Sequence, residues 1–241
     1  MIFSTIDVLS FHFTSPHSVG GAGDGGKWVC GVENLRRRRN VGRGPSHYNA
    51  LNGDAFNGAD VFGASAFSAA GAPCIVYSLG SHNNFDWEVG IKAQLPFCDI
   101  FTFDCTEVNP SNRPAFVEFK PWCVGNAPAR VAAAVAPTYL PLSGIMDRLG
   151  HKSVALLKMD VEGAEFDVFA EVAKLAPSSR PRQIVFELHY MNFERQFASK
   201  LIISSMLAIL ESGYQIVSRE HNQSCPSCME TIMIYTGVGV A

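Results

Sequence analysis

The sharpest change of hydrophobic period along the chain falls within residues 153–177. Val154 to Leu157 form a short, uninterrupted apolar run, the signature of a strand buried on both faces. Asp160, Glu162 and Gly163 then fall within four positions. After them the period lengthens: Val168, Phe169, Val172, Leu175 and Ala176 recur at the spacing of one helix face, up to Pro177. Strand, acidic turn and amphipathic helix make half of a βαβ unit. Ligands of open α/β sheets sit beyond the carboxyl ends of the strands, which makes Asp160 and Glu162 candidate site residues. Glu165 reads differently, as an acid favoured by the dipole at a helix N-terminus.

The same patterning predicts the remaining elements. Residues 74–80 form a strand ending at Gly80, followed by Ser81, His82, Asn83 and Asn84 and a helix from Phe85 to about Gln94, closed by Pro96. Strand, glycine turn and helix open a nucleotide-binding sheet, because glycine lets backbone approach a ligand and the helix N-terminus presents free N–H groups. The full GxGxxG is missing, since Asn83 and Asn84 stand where further glycines would be. A second strand, 99–104, ends in Asp104, at the distance beyond Gly80 where an acid accepts ribose hydroxyls. A third strand covers 115–120 and runs out through Pro121, Trp122 and Cys123; a short helix covers 142–149. Strand 183–190 carries His189 at its end, beside Asp160 if the two strands are neighbours. Helix 197–210 stops at Gly213, and strands 214–219 and 230–237 are close enough in sequence to pair antiparallel.

Composition narrows the class. In 241 residues, 47 % are hydrophobic and only 17 % charged, enough to bury one large α/β core. A net charge of −3 points to neither nucleic acid nor an anionic membrane surface. No apolar run is long enough to span a bilayer. The N-terminus, Met1 to Ser15, is mildly apolar, but Asp7 interrupts it and no Lys or Arg precedes Lys27, a poor signal peptide, so the expected setting is the cytoplasm or, if this is part of a longer precursor, a secretory lumen. Residues 1–25, including the glycine-rich 20–26, read as a lead-in, and 26–241 as one domain. Within it, 36–73, with four consecutive arginines at 36–39, reads as a flexible insertion. Seven cysteines leave the redox setting open. Cys225 and Cys228, with His221, supply at most three ligands where a structural zinc wants four, so no metal is expected. They read as a local disulfide or free thiols in a hairpin loop. Cys105 and Cys123 fall at one sheet edge, where a bridge is open to them if their Cα atoms lie within about 7 Å.

Three segments carry a family resemblance: 74–80, 101–104 and above all Leu157-Lys-Met-Asp160-Val-Glu162-Gly163-Ala-Glu165. They resemble the FkbM-type S-adenosylmethionine-dependent methyltransferases. Lys27-Trp-Val-Cys-Gly-Val-Glu-Asn34 and the Phe85-Asp-Trp-Glu88 segment are similar to the eukaryotic methyltransferase-like branch. The resemblance implies a Rossmann-like seven-stranded sheet, mostly parallel, with an antiparallel C-terminal hairpin and helices on both faces. It implies S-adenosyl-L-methionine lying over Gly80, with Ser81 and Asn84 near its methionine end, Asp104 on the ribose, and Trp122 and Cys123 beside the adenine. Asp160 and Glu162 would face the methyl sulfonium, and Asp160 or His189 would take a proton from a hydroxyl of a small-molecule or glycan-like acceptor. The alternatives are a catalytically silent module that keeps the fold for binding and a nicotinamide oxidoreductase, which the missing GxGxxG argues against. In the protein without ligand, burial is expected to raise the pKa of Asp160.

Overall fold

The computed structural model describes residues 17–20, 26–30, 73–125, 138–189, 195–222 and 224–239. The arginine run and all of the expected insertion but its last residue lie outside them.

Five parallel strands form the centre: β3 (Ile75–Leu79), β4 (Asp99–Phe103), β5 (Val117–Lys120), β8 (Leu156–Met159) and β9 (Gln183–His189). Two further strands, β10 (Tyr214–His221) and β11 (Cys228–Tyr235), complete a seven-stranded sheet in the order β10-β11-β9-β8-β3-β4-β5. β11 runs antiparallel to both β9 and β10, which gives the reversed closing strand expected from the terminal hairpin. Two small strand pairs lie outside the sheet: β1 (His17–Val19) pairs with β2 (Lys27–Val29), and β6 (Trp122–Val124) pairs in parallel with β7 (Thr138–Leu140). The pattern read 122–123 as the run-out of the third strand; the proline at 121 separates it as β6.

Period-two alternation sends the two faces of the sheet to two cores. On one face Tyr77, Leu79, Leu157, Ile184 and Phe186 pack with α2 (Leu142–Leu149), α3 (Glu165–Lys174) and α4 (Arg195–Glu211). On the other, Val76, Ile100, Leu156 and Val185 pack with α1 (Asp86–Gln94) and with Val19 and Val29 of the β1–β2 hairpin. β3, β8 and β9 are buried along their whole length, which is why they read as continuous apolar runs. Gly213, at φ +105°, follows the end of α4, and its N–H bonds Leu210.

Three disulfides pair six of the cysteines. Cys74–Cys98 ties the start of β3 to the start of β4, Cys105–Cys123 ties the loop after β4 to β6, and Cys225–Cys228 closes the β10–β11 loop.

Candidate active site at the carboxyl ends of the central strands

The turns after β3 and β8 interlock. Asp160 N–H donates to Leu79 O (2.9 Å), and Lys158 Nζ donates to Gly80 O (2.5 Å). Gly80 sits at φ +79°, and a Cβ there would stand 2.9 Å from the Asp160 carbonyl carbon and nearer still to its oxygen. The space beside Gly80 is therefore filled by Asp160 backbone, whereas the sequence reading reserved it for ligand. Glycine is required because two strand ends cross in contact.

Beyond Gly80, His82 and Asn83 adopt left-handed backbone (φ +44° and +59°). Ser81 N–H, Ser81 Oγ and His82 N–H all donate to Asp104 Oδ2, at 2.8, 3.0 and 2.8 Å. Thr106 N–H and Oγ1 donate to Asp104 Oδ1, at 2.9 and 2.6 Å. Burial pushes the Asp104 carboxyl up, but the bonds from Thr106, Ser81 and His82 outweigh it and hold the pKa below the usual range. Asp104 thus holds the glycine turn in shape. Asn84 Oδ1 accepts from Asp86 N–H at the start of α1. Asn83 Oδ1 is buried with no hydrogen-bond partner among the described residues. Beside this turn, Cys105–Cys123 fixes β6 at a Cα separation of 4.8 Å, so Cys123 carries no free thiol. The Trp122 ring stacks on Phe103 at 6.1 Å, and the Arg148 guanidinium lies 4.9 Å from its centre.

The structure brings Asp160, Glu162 and His189 together, as their strand-end positions predict. Glu162 takes left-handed backbone (φ +52°), turning an exposed carboxylate back over the ends of β8 and β9. His189 Nε2 lies 3.6 Å from Glu162 Oε2 and 3.9 Å from Asp160 Oδ1. Its other nitrogen, Nδ1, is 3.0 Å from Glu165 Oε1. Glu165 is fully buried and also accepts from the N–H groups of Val161 (3.0 Å) and Gly163 (2.9 Å). The helix-end reading of Glu165 thus understates it: one carboxylate shapes the acidic turn and orients the histidine. Burial lowers the His189 pKa, but the Glu165 hydrogen bond and charge, with Glu162 and Asp160, push it up to about 9.

A second cluster lies directly behind. Lys27, 1 % exposed, projects from β2 and places Nζ 3.2 Å from Asp160 Oδ2, 3.1 Å from Glu187 Oε2 and 2.8 Å from Glu230 Oε1. Asn222 Nδ2 donates to the other oxygen of Glu187 (2.7 Å). Burial lowers the Lys27 pKa, but Asp160, Glu230 and Glu187 outweigh it and hold the ammonium well above the usual lysine range. Burial pushes Glu230 up to about 7 against the opposing charge of Lys27. For Asp160 the expected upward shift is corrected. Burial does raise it, but Lys158, Lys27 and His189 outweigh that and hold the carboxylate below its ordinary value. Its compensation comes from the chain itself. Lys27, Glu187 and Glu230 are not singled out by the sequence; the available signal is a charged residue in each of three largely apolar strands.

An anionic Asp160 beside a protonated His189 can accept a proton from a group bound over the strand ends while the imidazolium donates a hydrogen bond. Among solved structures, the chain is similar to the Methanococcus jannaschii fibrillarin pre-rRNA processing protein, at 9 % identity and a TM-score of 0.45, with 69 % of this chain and 68 % of that one covered. It is also similar to the N-methyltransferase NodS from Bradyrhizobium japonicum WM9, at 12 % identity and a TM-score of 0.37, with 69 % and 88 % covered. No curated protein matches the chain. The sequence profile of a family described as a methyltransferase domain matches residues 6–235, from ahead of the β1–β2 hairpin to the end of β11. That match takes in every strand that supplies Asp160, His189, Lys27 and the Gly80 turn, and the chain belongs to this methyltransferase-domain family.

Proposed function

We propose that the protein is an S-adenosyl-L-methionine-dependent methyltransferase of FkbM-like type that methylates a hydroxyl of a small-molecule or glycan-like acceptor. The observation that carries this reading is the convergence of Asp160, Glu162 and His189 at the carboxyl ends of β8 and β9, next to the Gly80 turn. The cofactor supplies a methyl group on a positively charged sulfur. The turn after β3 fits it: the buried, unpartnered Asn83 Oδ1 suits the ammonium of its methionine end, beside Ser81 and Asn84. Asp104 accepts the ribose only by sharing oxygens already bonded to Ser81, His82 and Thr106, and Trp122 offers the adenine a flat, half-buried face braced by the Cys123 bridge.

The chain's own part in methyl transfer is positioning and proton removal. Asp160, held anionic by Lys158 and Lys27, takes the hydroxyl proton; His189, held by Glu165, donates to the acceptor oxygen. Six of the cysteines being bridged favours an oxidising compartment, the secretory-lumen alternative. No described helix is long and apolar enough to cross a membrane.

The test is Asp160→Asn, assayed for S-adenosylhomocysteine release against a panel of phenols and sugars. Loss of a positioned base lowers turnover about 100-fold or more. A variant that keeps wild-type turnover on any accepted hydroxyl refutes the role.

A further inference from the structure

Three donor atoms, one each from Asp160, Glu162 and His189, lie within 4.8 Å of one another and open toward the exposed side chain of Glu162. Two features of this group call for a cation. The first is the histidine. The His189 side chain is 8 % exposed, and Nδ1 is committed to the buried Glu165. Among the described residues Nε2 makes no hydrogen bond; it faces two carboxylate oxygens, at 3.6 and 3.9 Å. Those separations exceed the roughly 2.7–2.9 Å of a charge-assisted hydrogen bond. They are close to the about 3.4 Å edge of a tetrahedron whose corners lie 2.0–2.2 Å from a central metal ion. The three donor atoms lie within 4.8 Å of one another, so closing them onto one ion takes a movement of about 1 Å, which the exposed Glu162 side chain can supply.

The second is the charge around it. Asp160, Glu162, Glu165, Glu187 and Glu230 meet in a single connected cluster that holds fewer cations than carboxyl groups: Lys27, Lys158 beside Asp160 and, with no ion bound, the His189 imidazolium. Lys27 occupies Asp160 Oδ2, which leaves Oδ1 as the oxygen turned toward the histidine. A carboxylate that receives one ring N–H of a histidine while the other nitrogen faces the ion is the usual way protein metal sites fix a ligating imidazole. Glu165 stands in that position.

We propose that Asp160, Glu162 and His189 form a divalent metal site, with Glu165 as the residue that positions the histidine. One nitrogen and two carboxylate oxygens suit a first-row ion in the range from Mn²⁺ to Zn²⁺. Three protein ligands leave open positions, and the exposed edge at Glu162 leads to them. The site deepens the function proposed above: with an ion bound, His189 is a neutral ligand and the ion takes the place of its hydrogen bond to the acceptor, since an oxygen bound to a divalent ion loses its proton more readily, which eases deprotonation of the acceptor hydroxyl. Metal binding itself does not depend on that function.

The experiment titrates Mn²⁺ into the purified full-length protein, following loss of the free-ion electron paramagnetic resonance signal, with and without S-adenosylhomocysteine. The expected result is one tightly bound equivalent, weakened about 10–100-fold by Glu162→Gln and by Glu165→Gln. The surface variant Glu118→Gln should bind as the parent does. Glu162 is exposed, so its variant reports on ligation without a folding defect, which thermal unfolding verifies. Displacement of Mn²⁺ by Zn²⁺ or Mg²⁺ then identifies the preferred ion. Absence of binding at millimolar Mn²⁺, or binding that Glu162→Gln leaves unchanged, overturns the site. If metal binding fails while S-adenosylhomocysteine still binds, this inference falls and the cofactor assignment stands.

Discussion

Replacing Gly80 by alanine tests how the two turns hold each other. A non-glycine residue at φ +79° costs about 1–2 kcal/mol from its backbone conformation alone. Its Cβ would lie 2.9 Å from the Asp160 carbonyl carbon, where about 3.5 Å is comfortable, and would press harder on the oxygen. The neighbour is backbone, held by the bond from Asp160 N–H to Leu79 O, so it cannot rotate away. Relief requires the ends of β3 and β8 to part, at the roughly 1–3 kcal/mol typical of overpacking. Losing the Lys158–Gly80 bond adds about 1 kcal/mol. The sum, about 3–6 kcal/mol, is a large fraction of the roughly 5–15 kcal/mol that holds a domain together. Urea unfolding followed by circular dichroism measures it directly. The variant should unfold at markedly lower urea and bind S-adenosylhomocysteine poorly because its turn is distorted. A stability loss under about 0.5 kcal/mol, the size of an ordinary surface change, would show that the two turns do not interlock as described.

Two further outcomes follow from the buried charges and the bridges. Glu230 has a folded pKa near 7 against 4.5 in the unfolded chain, so its contribution is full below pH 4.5 and is lost as pH rises toward 7; the shift corresponds to at most about 3 kcal/mol. Glu230→Gln should therefore flatten the fall in stability between those pH values, and an unchanged slope in the variant would place the titration elsewhere. The Cys105–Cys123 bridge closes a loop with a sequence separation of 18, so replacing both cysteines by serine should lower stability by about 3 kcal/mol and weaken S-adenosylhomocysteine binding. Calorimetry finding parental melting temperature and affinity in that double variant would count against the bridge as a brace of the cofactor turn.

Much of the fold is legible in the sequence for a physical reason. Strands buried on both faces have no polar side, so 74–80, 154–157 and 183–190 announce themselves, and the positions of Asp160 and His189 at strand ends follow from them. The β6–β7 pair escapes because three-residue strands carry too little pattern, and their pairing is non-local. Cys74 and Cys98 meet only because β3 and β4 start side by side, a fact of register. Lys27 is the clearest miss. Its partners Glu187 and Glu230 lie 160 and 203 residues further along the chain, and nothing local to the Lys27-Trp28-Val29 strand points to them. Glu165 reads as an ordinary helix-start acid because acids there are commonly exposed; only its complete burial distinguishes it. At Gly80 the sequence shows that a side chain is excluded and not what excludes it, which is the backbone of Asp160.

The central claim is that the crevice between the Gly80 turn and the Asp160–His189 strand ends holds S-adenosylmethionine. Isothermal titration of the purified protein with S-adenosylhomocysteine, with NAD as the comparison, tests it most directly. S-adenosylhomocysteine should bind saturably and one to one, more weakly to Asn83→Ala, and NAD should not bind. Binding of NAD in preference, or no binding of S-adenosylhomocysteine by folded protein, would contradict it.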